Sequence, residues 1–118
     1  MKLPNAERAI VDIKKLRDYT LNPNHPEGKH KARVFLEKLN LKADDAERLR
    51  KLIMEAVLTE EATQQQPTSY GQRFVVDFQV KWEEKYVVTH VMIRTAWMIR
   101  NDEDFPRLTS CFIPRRRF

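Results

Sequence analysis

Two glycines and one cysteine in 118 residues remove several function classes at once. Phosphate-cradling loops need glycines in close register, and neither a GxGxxG nor a Walker pattern occurs, so a dinucleotide or P-loop site is not expected. A lone cysteine, Cys111, excludes an internal disulfide and a cysteine-based zinc site. No run approaches the roughly 18 apolar residues of a membrane span, and the N-terminus lacks a signal-peptide core. No segment repeats. The expectation is a cytoplasmic protein without membrane contact, metal or cofactor.

Turning to what is present, 42% hydrophobic and 33% charged residues suit a folded chain. The length suits one domain, residues 1–118, with one core. The formal charge is +5, of which the terminal Arg115-Arg116-Arg117 supplies a part, leaving about +2 on the body. That balance fits a polyanionic substrate or an acidic partner, and equally an ordinary domain.

Residues Ala6 to Val11 are too short a run to assign, extended at most. Asp12 is a natural N-cap for Ile13, Leu16 and Tyr19, a two-turn helix ending near Leu21. Pro23, Pro26 and Gly28 then enforce a loop. Ala32, Phe35, Leu36 and Leu39 fall at i, i+3, i+4 and i+7, which predicts a helix over Lys29–Leu39. Leu49, Leu52, Ile53, Ala56 and Val57 predict a third helix, capped at Asp44 or Asp45 and ending near Glu60. Ala62 to Ser69, rich in glutamine and interrupted by Pro67, reads as a polar connector.

From Tyr70 the period becomes two. Phe74, Val76, Phe78, Val80 and Trp82 alternate with Arg73, Asp77, Gln79 and Lys81, and Glu83 and Glu84 supply a turn. Tyr86 to Arg100 returns as a strand whose Val87, Thr89, Val91, Ile93, Thr95, Trp97 and Ile99 set should face the helices. Asn101 to Pro106 turns the chain again, and Arg107 to Ile113 is the last strand. The predicted fold class is α+β: three N-terminal helices (about 12–60) on one face of an antiparallel meander of three to four strands (about 70–113), with a short basic tail over 114–118.

The start of the second helix is where local preference and sequence disagree. A helix N-terminus carries unpaired N–H groups and the positive dipole end, and it favours acidic side chains. Here it carries Lys29, His30, Lys31 and Arg33, with His25 in the loop before it. One reading is a solvated basic face; the other is an anion-binding site. On the open sheet face, which should carry Arg73, Asp77, Gln79, His90 and Arg94, the same choice arises. Arg94 either forms a cross-strand ion pair with Asp77 or offers its planar fork to a phosphate. Thr109 and Ser110 point to opposite faces, so one of them reaches that surface. Cys111 reads as a small buried hydrophobe. His25, His30, His90 and Asp77 match no metal-ligand spacing.

Assembled, these residues permit metal-free phosphodiester chemistry. Attack by a ribose 2′-OH requires a proton acceptor, a proton donor and cations for the phosphorane. His30 exchanges protons near neutral pH, Lys29 and Arg94 hold charge, and Thr109 or Ser110 could assist; His25, Lys31, Arg33, Arg73 and His90 would bind substrate. The non-enzymatic alternative uses the same basic helix start to dock an acidic protein or nucleic acid.

The stretches Lys2-Leu3-Pro4-Asn5-Ala6-Glu7-Arg8-Ala9 and Tyr19-Thr20-Leu21-Asn22-Pro23-Asn24-His25-Pro26-Glu27-Gly28-Lys29-His30-Lys31-Ala32-Arg33-Val34-Phe35 resemble the bacterial domain-of-unknown-function family DUF 6883. So do Tyr70-Gly71-Gln72-Arg73, Arg94-Thr95-Ala96-Trp97 and Asp104-Phe105-Pro106-Arg107-Leu108-Thr109-Ser110-Cys111. More distantly, the pattern is similar to the barnase, EndoU, colicin and RelE-like ribonuclease toxin superfamily. That second resemblance implies an active site at Lys29-His30 with Arg94 and Thr109 or Ser110, RNA as substrate, delivery within a toxin system, and an acidic inhibitor or antitoxin as partner. The reverse role, an antitoxin, sits poorly with a basic chain.

Overall fold

In the computed structural model, residues 1–114 are described; the basic run Arg115–Arg117, part of the charge argument above, lies outside them. After a 3-10 turn at Ala6–Arg8 come α1 (Ile13–Lys15), α2 (Lys29–Leu39) and α3 (Ala46–Thr59), followed by β1 (Ala62–Thr68), β2 (Gly71–Glu84), β3 (Val87–Arg100) and β4 (Arg107–Phe112). The strands form one antiparallel sheet in the order β1-β2-β3-β4. Helix and strand thus segregate along the chain, and the fold is α+β.

Local chemistry accounts for the helix limits. The Asp12 carboxylate accepts from the Lys14 amide at 2.9 Å, capping α1 as its sequence predicts. α1 then continues as a π-helical segment, Leu16–Thr20, closed by the Leu21 amide on Leu16 O. α2 ends at Asn40, which takes the left-handed conformation at φ 52° that asparagine tolerates. Before α3, a 3-10 turn over Ala43–Asp45 is tied by the Lys42 amide donating to Asp45 Oδ2.

The apolar faces of these helices and one face of the sheet meet in a single core. Leu16, Phe35, Leu39, Leu49, Ile53 and Val57 from the helices join Phe74, Val76, Phe78, Val91, Ile93, Trp97 and Leu108 from the strands. Of the β3 set expected to face the helices, Val91, Ile93, Thr95 and Trp97 are buried and Ile99 is half-buried, whereas Val87 and Thr89, near the hairpin tip beyond the last β4 pair, are exposed. Thr95 sits in this core with both polar roles used: its hydroxyl donates to Val76 O at 2.7 Å and accepts from Trp97 Nε1 at 2.8 Å.

Three expectations need correction. Ala62 to Ser69 is not a connector; Ala62–Thr68 is β1, an edge strand paired from Ala62 opposite Val76 to Thr68 opposite Gly71. Only Ala62 is buried, so no apolar alternation marks the strand, and its register shifts beside Pro67, between Gln65 and Thr68. The β2–β3 turn lies at Lys85 and Tyr86, both at positive φ, rather than at Glu83 and Glu84, which still pair with Val88 and Val87. Ala6–Arg8 is a 3-10 turn, and Ile10 beyond it bridges to Arg107.

Cys111 is buried, and burial pushes its thiol up to about 12. Native protein is therefore expected to resist iodoacetamide at about pH 8 and to label only when unfolded in denaturant. Fast labelling of the folded protein would contradict this placement.

Candidate functional site

The strand register distributes the open-face residues. Asp77 lies opposite Arg94, Gln79 opposite Met92, Lys81 opposite His90, and Arg73 opposite Met98. Residues directly opposite in an antiparallel pair share a face, so Arg73, Asp77, Gln79, His90 and Arg94 all lie on the face turned away from the core. They are not gathered there. Four residues along a strand span about 13 Å, so Arg73 and His90 flank the Arg94 position on opposite sides.

Arg94 is already engaged. Its Nε and Nη2 donate to Asp77 Oδ1 and Oδ2 at 2.9 and 3.0 Å, a two-pronged ion pair between half-buried side chains. Hydrogen bonding to that carboxylate holds the guanidinium above its ordinary pKa, so it stays charged. Of the two roles the sequence allows for Arg94, the cross-strand pair is the one formed. Ligation of a phosphate through the same fork would require Asp77 to be displaced.

β4 brings two more groups to this face. Ser110 lies opposite Ala96 and Phe112 opposite Arg94, whereas Thr109 falls in a bulge where the register shifts, its hydroxyl donating to Ala96 O at 3.0 Å. Ser110, not Thr109, is therefore the hydroxyl diagonal to Arg94. Phe112 was not anticipated as part of the site. Its signal was available: alternation along Arg107–Ile113 puts an aromatic ring in phase with Ser110 on a polar face.

Phe112 also joins the sheet to the basic helix start. Lys31 Nζ lies 4.4 Å from the Phe112 ring centroid, a cation–π contact that sets the first turn of α2 against the end of β4. No side chain caps α2, whose N-cap is Gly28. His30, Lys31 and Arg33 are exposed and Lys29 is half-exposed. Among the described residues none of Lys29, Lys31 or Arg33 forms an ion pair.

His25 has a different position. Its Nδ1 accepts from the amides of Glu27 and Gly28, each at 3.1 Å, and its ring meets Tyr19 edge-on at 4.5 Å. It ties the loop before α2 to the π-helical segment, leaving Nε2 as the ring nitrogen free to carry hydrogen. Two shallow concavities of about 450 and 460 Å³ lie elsewhere, one around Tyr70, Met98 and Asn101, the other between α3 and β2 at Leu52, Phe78 and Val80. Among the described residues no three His, Cys, Asp or Glu side chains cluster as metal ligands would.

The sequence motifs touch one another at structural joints. Arg8 grips the Asp104 carboxylate with two guanidinium nitrogens at 3.1 and 3.0 Å, and Asn5 Nδ2 donates to Asp104 O at 2.6 Å. A family model described as a domain of unknown function, DUF6883, matches residues 2–115. The chain belongs to this family. No curated protein and no solved structure matches it, and the wider resemblance to ribonuclease toxins is not confirmed. Membership in DUF6883 accounts for the start, the α2 loop and the β3–β4 motifs as one fold, and it assigns that fold no activity.

Proposed function

We propose that this DUF6883 chain is a docking module for single-stranded RNA, contacted through the first turns of α2. One observation carries the reading. Lys29, Lys31 and Arg33 stand at an uncapped helix start without ion-pair partners among the described residues, whereas Arg94, the cation a phosphoryl-transfer site would use, is closed by Asp77. Cations without ion-pair partners attract a polyanion without first giving up an internal carboxylate. Phe112 under Lys31 adds a ring near the contact, the kind of group on which bases stack.

Binding of an RNA oligonucleotide should weaken as salt rises. Lys29→Ala and Arg33→Ala should each reduce the slope of log affinity against log salt by about 0.7. Equal slopes in parent and variants would move the contact off α2, with Arg115–Arg117 next in line. Preference for an acidic peptide over RNA would replace the ligand class while leaving the surface.

The ribonuclease reading keeps one specific support: the Lys31–Phe112 contact sets the α2 start beside the strand pair that carries Arg94, with Ser110 diagonal to it. Total RNA incubated with protein in EDTA separates the readings. Cleavage to 2′,3′-cyclic ends that His30→Gln and Arg94→Gln both abolish would establish catalysis, since acid–base groups contribute roughly 10²–10⁴-fold. Intact RNA, bound but uncut, supports the docking module.

A further inference from the structure

Among the described residues the sheet offers four stretches of free edge, and three are guarded. β1 carries Gln64, Gln65, Gln66 and Pro67, and proline removes a donor from the edge. β4 is met by Ile10, whose amide donates to Pro106 O at 2.9 Å and whose carbonyl accepts from Leu108 N at 3.0 Å, and it is kinked at the Thr109 bulge. β2 beyond its β1 partner holds Asp77, Lys81 and Glu83, and α3 runs alongside it, with Leu52, Ala56 and Thr59 sharing a concavity with Phe78, Val80 and Lys81.

Among the described residues, the fourth stretch has none of these protections. The β3–β4 ladder ends with Arg94 opposite Phe112, and no described residue pairs with the outer side of β3 from Val87 to Ile93. That segment reads Val87-Val88-Thr89-His90-Val91-Met92-Ile93, with no Lys, Arg, Asp, Glu, Pro or Gly. Exposed apolar side chains collect here: Tyr86 is fully exposed at the tip, Val87 is 60% exposed, Val88 50% and Met92 37%. A long uncharged strand edge is a template for another strand.

We propose that Val87–Ile93 pairs antiparallel with the same segment of a second copy, across a two-fold axis at His90. A two-fold interface must be self-complementary, and this one is. Pairing about His90 sets Val87 against Ile93, Val88 against Met92 and Thr89 against Val91, and each pair shares a face because its members lie equally far from the centre. The hairpin turn at Lys85–Tyr86 bounds the segment on one side, and the last β4 pair, Arg94 opposite Phe112, bounds it on the other. Charge agrees as well: the chain carries +5, yet the segment that would face its own copy across this axis holds no Lys, Arg, Asp or Glu. A foreign peptide would find no ion pair there to select it.

A strand pair of this length buries less than the roughly 1,200–2,000 Å² of standard interfaces, so association should be weak and concentration-dependent. Sedimentation velocity from roughly 5 to 500 µM should show monomer passing to dimer, in the range where weak interfaces operate. His90→Lys sets two cations on the axis, and Val88→Lys sets a charge against Met92; each should weaken the dimer at least about tenfold while leaving circular dichroism unchanged. Gln79→Lys, on the neighbouring strand, should dimerise like the parent. Monomer at every concentration overturns the proposal. So does a dimer indifferent to both edge variants, or growth beyond two copies.

Discussion

Trp97→Ala should destabilise the protein by about 3–5 kcal/mol, the usual cost of emptying a buried aromatic site. Trp97 is among the largest side chains in the core, 1% exposed, and it sits mid-strand on β3 opposite Phe74 and Leu108. Removing it leaves a cavity bounded by strands on both sides, which the ladder prevents from collapsing. It also strips the Thr95 hydroxyl of the indole N–H at 2.8 Å, while the bond from Thr95 to Val76 O remains. Trp97→Phe narrows the comparison, because it keeps a buried aromatic ring, leaves a smaller void and loses the N–H. Its cost should be about 1–2 kcal/mol, less than for alanine because most of the buried volume stays. Urea denaturation measures both, with the half-buried Trp82 still available as fluorophore. For a chain of this size the alanine variant should melt about 10–20 °C below the parent. A shift of only a couple of degrees would show that Trp97 does not face the core.

The same strand shows how far the sequence could be read. Alternation placed Thr95 and Trp97 inward and Arg94 outward, because burying one face of a strand forces a period of two. The spacing of Ala32, Phe35 and Leu39 likewise gave α2 with its observed limits, since a helix must turn one apolar stripe to the core. β1 escaped for the opposite reason. Apart from Ala62 it buries nothing, so what holds Gln64 and Gln65 in line is the main-chain ladder to Phe74 and Arg73 and a side-chain bond from Gln64 Nε2 to Gln72 Oε1 at 2.8 Å. Backbone pairing leaves little trace in side-chain pattern. Nothing in the sequence marks the π-helical segment at Leu16–Thr20.

For the candidate site, the face of each strand residue was legible but its partner only in part. Asp77 and Arg94 lie on facing strands, and a choice between ion pair and phosphate ligand turns on register, which a shift of two residues would undo while keeping both faces. His25 posed a different difficulty. A histidine in a proline-rich loop next to cations suggests substrate contact, yet its Nδ1 serves the Glu27 and Gly28 amides. The motifs at Asn5, Arg8 and Asp104 likewise join the N-terminal turn to the β3–β4 connection, and so explain themselves through folding before any ligand is invoked.

Gly71→Ala should be among the most damaging single-methyl additions in the chain. Gly71 opens β2 and pairs on both sides, with Thr68 of β1 and Arg100 of β3. Its φ of 158° is one that side-chain-bearing residues seldom adopt. Space is the harder constraint: a Cβ there would stand 2.1 Å from Ile99 O and 2.8 Å from the Arg100 Cα. Both are backbone atoms of β3, so relief means prying β2 from β3 where the two longest strands meet the β1–β2 turn. The nearby bonds would go with it, since Asn101 N donates to Tyr70 O at 3.0 Å and Asn101 Nδ2 to Ser69 O at 2.7 Å. Overpacking and backbone strain each cost about 1–3 kcal/mol, which puts the substitution at about 2–5 kcal/mol in total. Gly28→Ala is the calibrating control. Its φ of −90° is ordinary, and the added Cβ meets one backbone atom, Tyr19 O, at 2.9 Å, so a smaller shift relieves it than at Gly71. That variant should lose about 1–2 kcal/mol, towards the lower end of overpacking costs. Equilibrium denaturation ranks the pair, and hydrogen exchange locates the damage, with amides around Thr68, Gly71 and Asn101 losing protection in the Gly71 variant. A Gly71→Ala protein as stable as the Gly28 variant, with those amides still protected, would mean that β2 and β3 do not approach this closely at their turn end.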